Sequence, residues 1–212
     1  IYTDMGHLDQ TRQNILSTKP HEINSSDVQP PKSAIRNRYI YTESVTIHGD
    51  PTGKFPITSQ RGNRYVLVVF DEDSNSIHAE PMKSRSKEKH VRAYSKIVEV
   101  LESSGLKPRF VRLDNEASEL LKQHFKEQNM EYQLVPPGMH RRNLAERAIR
   151  TFKSHFITGL CITDEEFPVN QWDLLIPQSV LTLNLLRRSK MNPKLSAHAQ
   201  VFGAYDYMSH PI

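Results

Sequence analysis

The sequence contains a single cysteine, Cys161, among its 212 residues. One cysteine excludes a disulfide framework within the chain and a zinc cluster built on Cys-x-x-Cys pairs in these residues. Long apolar runs are also missing: the longest, residues 65–70, is far short of the roughly 20 residues that a membrane-spanning helix needs. No basic-then-apolar leader opens the sequence, so we expect neither a secretory signal nor a membrane partner.

Net charge is small, because 28 Lys and Arg residues stand against 24 Asp and Glu residues. The surplus is confined to residues 136–160, which contain five basic residues and one acid, Glu146; the rest of the chain is balanced. A local basic stripe on an otherwise neutral protein indicates contact with a polyanion, although a solvated helix face is the alternative. The five basic residues are Arg141, Arg142, Arg147, Arg150 and Lys153.

The chain divides into two parts by composition. Residues 1–43 have little apolar periodicity and are rich in Ser, Thr, Asn, Gln and Pro, which is typical of an arm or linker. Residues 44–212 have the length of one domain.

Within that domain, apolar patterns predict strands at 45–50, 65–71 and 76–80, joined by short turns as an antiparallel meander. Helical and strand patterns then alternate. Helices are predicted at 86–105, 118–128, from about 143, and at 170–187, where Pro177 should kink or divide the last one. Two more strands are predicted at 110–113 and 130–135. This order predicts an α/β fold with a five-stranded mixed sheet flanked by helices.

Three acids occupy positions where they could converge. Asp50 ends the first predicted strand, Asp114 ends the fourth, and Glu146 lies in the first turn of the basic helix. If the first and fourth strands are neighbours, Asp50 and Asp114 lie side by side. Clustered carboxylates repel one another unless a divalent cation neutralises them, and hard oxygen ligands suit Mg²⁺ or Mn²⁺. With 24 acids in the chain, solvated carboxylates that happen to follow strands are the alternative.

Motifs around these acids are more specific than their spacing. Residues 50–56 read Asp-Pro-Thr-Gly-Lys-Phe-Pro, and residues 113–116 read Leu-Asp-Asn-Glu. Residues 140–153 contain the elements Asn-x-x-Glu-Arg and Arg-Thr-Phe-Lys, and Asn-Pro at 192–193 and Phe-Gly at 202–203 lie downstream. Over about residues 44–205, the sequence resembles the catalytic core of retroviral and LTR-retrotransposon integrases.

The resemblance implies a ribonuclease-H-like fold and a polynucleotidyl transferase. Asp50, Asp114 and Glu146 would be the catalytic residues and the ligands of two Mg²⁺ or Mn²⁺ ions. Two such ions activate a nucleophile and stabilise the leaving oxygen in phosphodiester transfer. The implied activity is processing of DNA 3′ ends and strand transfer into target DNA.

The resemblance also implies partners and context. DNA would be the substrate, with no small molecule, and a homo-oligomer would hold two DNA ends in the nucleus. Residues 1–43 would follow a zinc-binding domain in a longer polyprotein product. The expected DNA contacts are Arg141, Arg142, Asn143, Arg147, Arg150 and Lys153. A pair between Glu146 and Arg150, four residues apart on one helix, is the competing interpretation.

Two features depart from the pattern. Thirty-one residues lie between Asp114 and Glu146, fewer than is usual in retroviral cores. Pro51 follows Asp50 and cannot donate to a sheet ladder, so the first strand should end or bulge there. Two other functions therefore stay open: a catalytically impaired DNA-binding or protein-interaction module of the same fold, and a nuclease that cuts without joining.

Overall fold

The computed structural model of the protein describes residues 44–114, 117–135 and 144–209; the predicted arm at 1–43 lies outside them. A five-stranded sheet carries helices on both faces. The strands are β1 (Thr46–Pro51), β2 (Tyr65–Asp71), β3 (Ile77–Met82), β4 (Phe110–Leu113) and β5 (Glu131–Leu134). The helices are α1 (Lys87–Ser103), α2 (Glu119–Glu127), α3 (Leu144–Ile162), a 3₁₀ helix (Val169–Leu175), α4 (Ile176–Leu186) and α5 (Ala197–Phe202).

The strand order is β3-β2-β1-β4-β5. The first three strands form an antiparallel meander, and β4 and β5 add to β1 in parallel. The predicted five-stranded mixed sheet is confirmed. Because β1 is the central strand, it pairs with β2 on one side and with β4 on the other. Along the described part of the chain, no helix has the length and apolarity to cross a bilayer.

Strand β2 separates two hydrophobic cores. Leu67 and Val69 face the core covered by α1 and α2, whereas Val66 and Val68 face the core formed with α3 and α4. All four side chains are fully buried. A strand covered on both faces needs apolar residues at every position, which explains the continuous apolar run at 65–70.

Pro177 divides the predicted last helix. The 3₁₀ helix ends at Leu175, and α4 begins with Ile176 and has Pro177 in its first turn. The first helical N–H groups have no partner within a helix, so a proline is tolerated there. The short helix α5 was not predicted; its N-cap is Ser196, whose side chain accepts a hydrogen bond from the backbone N–H of Ala199.

Pro51 is the last residue of β1. The next residue, Thr52, donates its backbone N–H to the carbonyl of Val66 at 2.8 Å. Because backbone N–H groups alternate sides along a strand, the nitrogen of Pro51 is turned towards β4. The pairing of β1 with β4 has already ended there, at His48 and Arg112. The proline therefore interrupts no ladder bond, and the prediction that β1 ends here is confirmed.

Gly49, the residue before Asp50, packs against Tyr94 of α1. A Cβ atom at Gly49 would lie 2.1 Å from Tyr94 Oη, and Tyr94 is fully buried. We expect Gly49→Ala to lower the free energy of unfolding by about 1–3 kcal/mol, because the buried ring must shift. Urea denaturation measures the change. Gly53→Ala is the matched control, since nothing lies within 4 Å of its added Cβ, and equal midpoints for the two variants would contradict the prediction.

Candidate active site

The structure brings Asp50 and Asp114 to adjacent strand ends. In the parallel pairing of β1 with β4, His48 lies opposite Arg112. Asp50 follows His48 by two residues and Asp114 follows Arg112 by two residues, so the two aspartates lie at matching positions just beyond this pair. Both side chains are partly buried, so they remain accessible to a ligand from solvent. The predicted neighbourhood of the first and fourth strands is confirmed.

The aspartates follow residues that face the core under α3. His48 is fully buried, and its ring lies 6.1 Å from that of Phe70, which belongs to the core containing Ala148 and Phe152 of α3. Because side chains two residues apart in a strand share a face, Asp50 lies on the α3 side of the sheet. Helix α3 also carries the third predicted acid.

Glu146 lies in the first turn of α3 and is exposed. The helix is held on β1 and β2 by the burial of Ala145, Ala148, Phe152 and Phe156. Across residues 44–114, 117–135 and 144–209, no three His, Cys, Asp or Glu side chains are grouped so as to hold a metal ion. The structure thus brings Asp50 and Asp114 together but does not place Glu146 in a closed group with them. The three-carboxylate site stays a prediction.

A buried carboxylate fixes the loop that follows Asp50. Asp173 Oδ2, in the 3₁₀ helix, accepts hydrogen bonds from Ser59 Oγ at 2.9 Å, Arg61 Nε at 2.9 Å and Asn63 Nδ2 at 2.6 Å. Burial alone would raise the pKa of Asp173, but these three hydrogen bonds and the charge of Arg61 hold it below its ordinary value. Its other oxygen, Oδ1, is buried and accepts no hydrogen bond from any residue that the structure describes.

Aromatic packing holds the same loop. The ring of Phe55 stacks on Trp172 with centroids 4.3 Å apart, and Trp172 Nε1 donates to the carbonyl of Ile57 at 2.9 Å. Phe156 of α3 meets Trp172 edge-on at 6.2 Å. The chain beyond Asp50 is therefore fastened to the helical layer and not only to the sheet.

Asp71 and Asp73, which follow β2, are structural. Asp73 accepts the backbone N–H groups of Ser44 and Val45, each at 2.8 Å, where the chain enters β1. Asp71 accepts hydrogen bonds from the backbone and the hydroxyl of Ser74. Burial raises the pKa of Asp71 despite these bonds. Both carboxylates face inward, so neither competes with Asp50 as a candidate ligand.

Comparison with known proteins gives a match in structure alone. No family model matches the sequence, and no curated protein matches it. The HTLV-2 integrase catalytic core domain, solved in complex with magnesium in a dimeric form, superposes with a TM-score of 0.54 at 15% identity, covering 75% of this chain and 95% of that chain. The catalytic core of BIV integrase gives a TM-score of 0.55 at 11% identity, with coverage of 74% and 93%. The chain has the fold of a retroviral integrase catalytic core.

A third match is the simian T-cell lymphotropic virus intasome in complex with the PP2A regulatory subunit B56 gamma. It has a TM-score of 0.57 at 16% identity and covers 79% of this chain and 56% of that chain. The expected ribonuclease-H-like class is thereby confirmed. At these identities the likeness establishes the fold of the integrase-like core alone.

Basic residues of the integrase-like core lie along α3. Arg147 and Arg150 are exposed. Lys153 is partly buried and lines the same pocket as Phe55, which belongs to the loop after Asp50. Together they give the helix that carries Glu146 a positive surface. The other three predicted DNA contacts, Arg141, Arg142 and Asn143, lie outside the described residues.

His48 is a residue that the sequence did not single out. Its Nε2 lies 3.2 Å from Glu72 Oε2, while its Nδ1 is buried and has no hydrogen-bond partner within residues 44–114, 117–135 and 144–209. Burial lowers the pKa of His48, and the hydrogen bond to Glu72 offsets that shift only in part. Side chains alternate between the two faces of the sheet along β1, so the sequence already places His48 on the same face as Asp50.

Proposed function

We propose that this chain is the catalytic core of an LTR-retrotransposon integrase. It processes the 3′ ends of element DNA and joins them to target DNA. In the first step water attacks a phosphodiester, and in the second the freed 3′ hydroxyl attacks a phosphodiester of the target. In each step the new bond forms at phosphorus while the bond to the leaving 3′ oxygen breaks, so no covalent protein–DNA intermediate is needed.

The observation that carries this proposal is the parallel pairing of β1 with β4, in which Asp50 and Asp114 each lie two residues beyond the paired residues His48 and Arg112. Two partly buried carboxylates at neighbouring positions of a sheet supply the hard oxygen ligands that suit a divalent cation. The retroviral core fold supports the same assignment, since the HTLV-2 core was solved in complex with magnesium.

Asp50, Asp114 and Glu146 are the proposed catalytic residues and metal ligands. Their hard carboxylate oxygens fit two Mg²⁺ or Mn²⁺ ions, which when bound neutralise charge that develops on the phosphate oxygens. The strands fix the two aspartates, whereas Glu146 is carried by α3. The exposed first turn of α3 lets its carboxylate meet a substrate from solvent.

DNA is the proposed substrate, and its backbone is contacted by the six residues named above, from Arg141 to Lys153. Lys and Arg side chains on one helix face position phosphates without reading sequence. Joining two DNA ends also requires more than one copy of the chain, and the dimeric HTLV-2 core supports a homo-oligomer. We further assign residues 1–43 to an arm after a zinc-binding domain, and the site of action to the nucleus.

A Mn²⁺-dependent strand-transfer assay on a labelled oligonucleotide duplex tests the proposal. We expect Glu146→Gln to lower the rate at least about 100-fold. The neutral amide is a poorer ligand than a carboxylate for a divalent cation beside the phosphate. Glu165→Gln is the matched control, an exposed acid beyond the end of α3, and it should keep the wild-type rate. Equal rates for wild type and Glu146→Gln would exclude the assigned role of Glu146.

The products of the same assay separate the three functions. Joined strands support an integrase. Shortened strands without joining indicate a nuclease of the same fold. Duplex binding without any product, with Mn²⁺ present, indicates the catalytically impaired DNA-binding module.

A further inference from the structure

A small basic cleft lies beside Phe70, on the α3 side of the sheet. We call it the Phe70 cleft; its volume is about 140 Å³, the space of roughly four or five water molecules. Among the residues that the structure describes, three basic side chains and no acidic one line it. Its basic residues are Arg147 of α3 and Arg187 and Lys190, which follow α4.

Arg187 is fixed within this cleft by the turn after β2. Its Nε donates to the carbonyl of Asn75 at 2.7 Å, and its Nη2 donates to Asn75 Oδ1 at 2.6 Å. Its guanidinium also lies over the ring of Phe70, 5.8 Å from the centroid. Arg187 is therefore a fixed positive charge in the wall of the cleft.

Lys190 brings a second positive charge to the same ring. Its Nζ lies 5.2 Å from the centroid of Phe70 and 4.0 Å from Glu72 Oε1. Glu72 is shared, because its other oxygen contacts buried His48. Glu72 therefore offsets only part of the positive charge that the three basic residues of the cleft carry. Like charges brought this close favour an anion between them.

The cleft also lies close to Asp50. In the pairing of β1 with β2, Phe70 is opposite His48, and Asp50 follows His48 by two residues. Two residues of strand correspond to about 7 Å. A DNA strand carries a phosphate about every 3.4 Å of helix axis, so a strand held at the aspartates has neighbouring phosphates near the cleft.

We infer that the Phe70 cleft binds a backbone phosphate of the same DNA strand that is positioned at Asp50 and Asp114. This rests on the proposed function and adds a subsite to it. In this subsite Arg147 is supplied by α3 and Lys190 by the segment after α4, while Arg187 supplies the fixed charge. The subsite carries no sequence information, because the groups it offers contact phosphate alone.

The test is the salt dependence of DNA binding, measured in EDTA so that metal and catalysis play no part. A fluorescein-labelled duplex of arbitrary sequence is titrated with the full chain at several salt concentrations, with fluorescence anisotropy as the readout. We expect Lys190→Gln and Arg147→Gln each to reduce the slope of log affinity against log salt by about 1, as the loss of one phosphate contact does. Lys107→Gln, an exposed lysine before β4, is the matched control and should keep the wild-type slope.

A conservative variant separates charge from structure. Lys190→Arg keeps the charge and should keep the wild-type slope, so a slope as low as that of Lys190→Gln would overturn the inference. If the wild type binds the duplex but Arg147→Gln or Lys190→Gln keeps the full slope, the inference is overturned and the proposed function is untouched. If the wild type binds no duplex, both the subsite and DNA as the substrate are overturned.

Discussion

Asp114→Asn is expected to reduce metal-dependent cleavage and joining of DNA by at least about 1000-fold. The substitution keeps the shape of the side chain but removes one of two charges at the end of adjacent parallel strands. A carboxylate that shares a divalent ion contributes several kcal/mol to transition-state stabilisation in two-metal phosphoryl transfer. Asp50→Asn should have an effect of the same size, and the double variant should lose little more, because residues that act as a unit are not additive.

Two measurements check this prediction. The rate of Mn²⁺-dependent product formation on a labelled duplex gives the loss of activity. Thermal unfolding with and without Mn²⁺ gives a readout independent of activity, because an ion that binds only the folded state raises the melting temperature. We expect that rise in the wild type and in the control Glu102→Gln, an exposed acid of α1, and no rise in Asp114→Asn. An equal rise in wild type and Asp114→Asn would contradict the role of Asp114 as a ligand.

Trp172→Ala is expected to lower the free energy of unfolding by about 3–5 kcal/mol, the range for large aromatic residues truncated in a core. The indole is 2% exposed and contacts Phe55 and Phe156 on two sides. Its loss leaves a cavity and frees the carbonyl of Ile57 from its hydrogen bond. The substitution also loosens the chain that follows Asp50, so we expect activity to fall with stability.

Guanidinium denaturation followed by far-UV circular dichroism measures the change, since Trp172 is the one tryptophan of the sequence and its fluorescence is lost. Trp172→Phe keeps an aromatic ring but removes the N–H donor, so a smaller loss of about 1–2 kcal/mol is expected. Leu174→Ala in the same 3₁₀ helix is the control, because Leu174 is 50% exposed and should change stability by less than about 0.5 kcal/mol. A loss of stability in Trp172→Ala no larger than that in Leu174→Ala would contradict the role of Trp172 in holding the loop after Asp50.

Strands were predicted from the sequence more accurately than helix ends. The run at 65–71 coincides with β2, and 110–113 coincides with β4, because turn residues bound both runs. Apolar residues of the last predicted helix recur at helical spacing, which predicts that they are buried, but Leu186 is 77% exposed. Helix α4 ends at Leu186 and the backbone of Arg187 is extended, so helical spacing does not predict burial at this position.

Long-range contacts could not be predicted in the same way. The pairing of Asp173 with Ser59 and Asn63 spans more than 100 residues, and no local pattern encodes it. The neighbourhood of Asp50 and Asp114 was predictable, because a βα unit after a meander leaves few places for the next parallel strand. The position of Glu146 relative to them depends on the helix it sits on, and its participation remains a prediction.

Asp73 accepts hydrogen bonds from the backbone N–H groups of Ser44 and Val45 and so fixes where the chain enters β1. Thr46, the first residue of β1, precedes Asp50 by four residues of extended chain, a separation of about 13 Å, and Ser44 and Val45 precede Thr46. Ser44 therefore enters the sheet at the end of β1 that lies away from Asp50. A segment attached in front of Ser44 would have to extend along the length of β1 to reach that carboxylate.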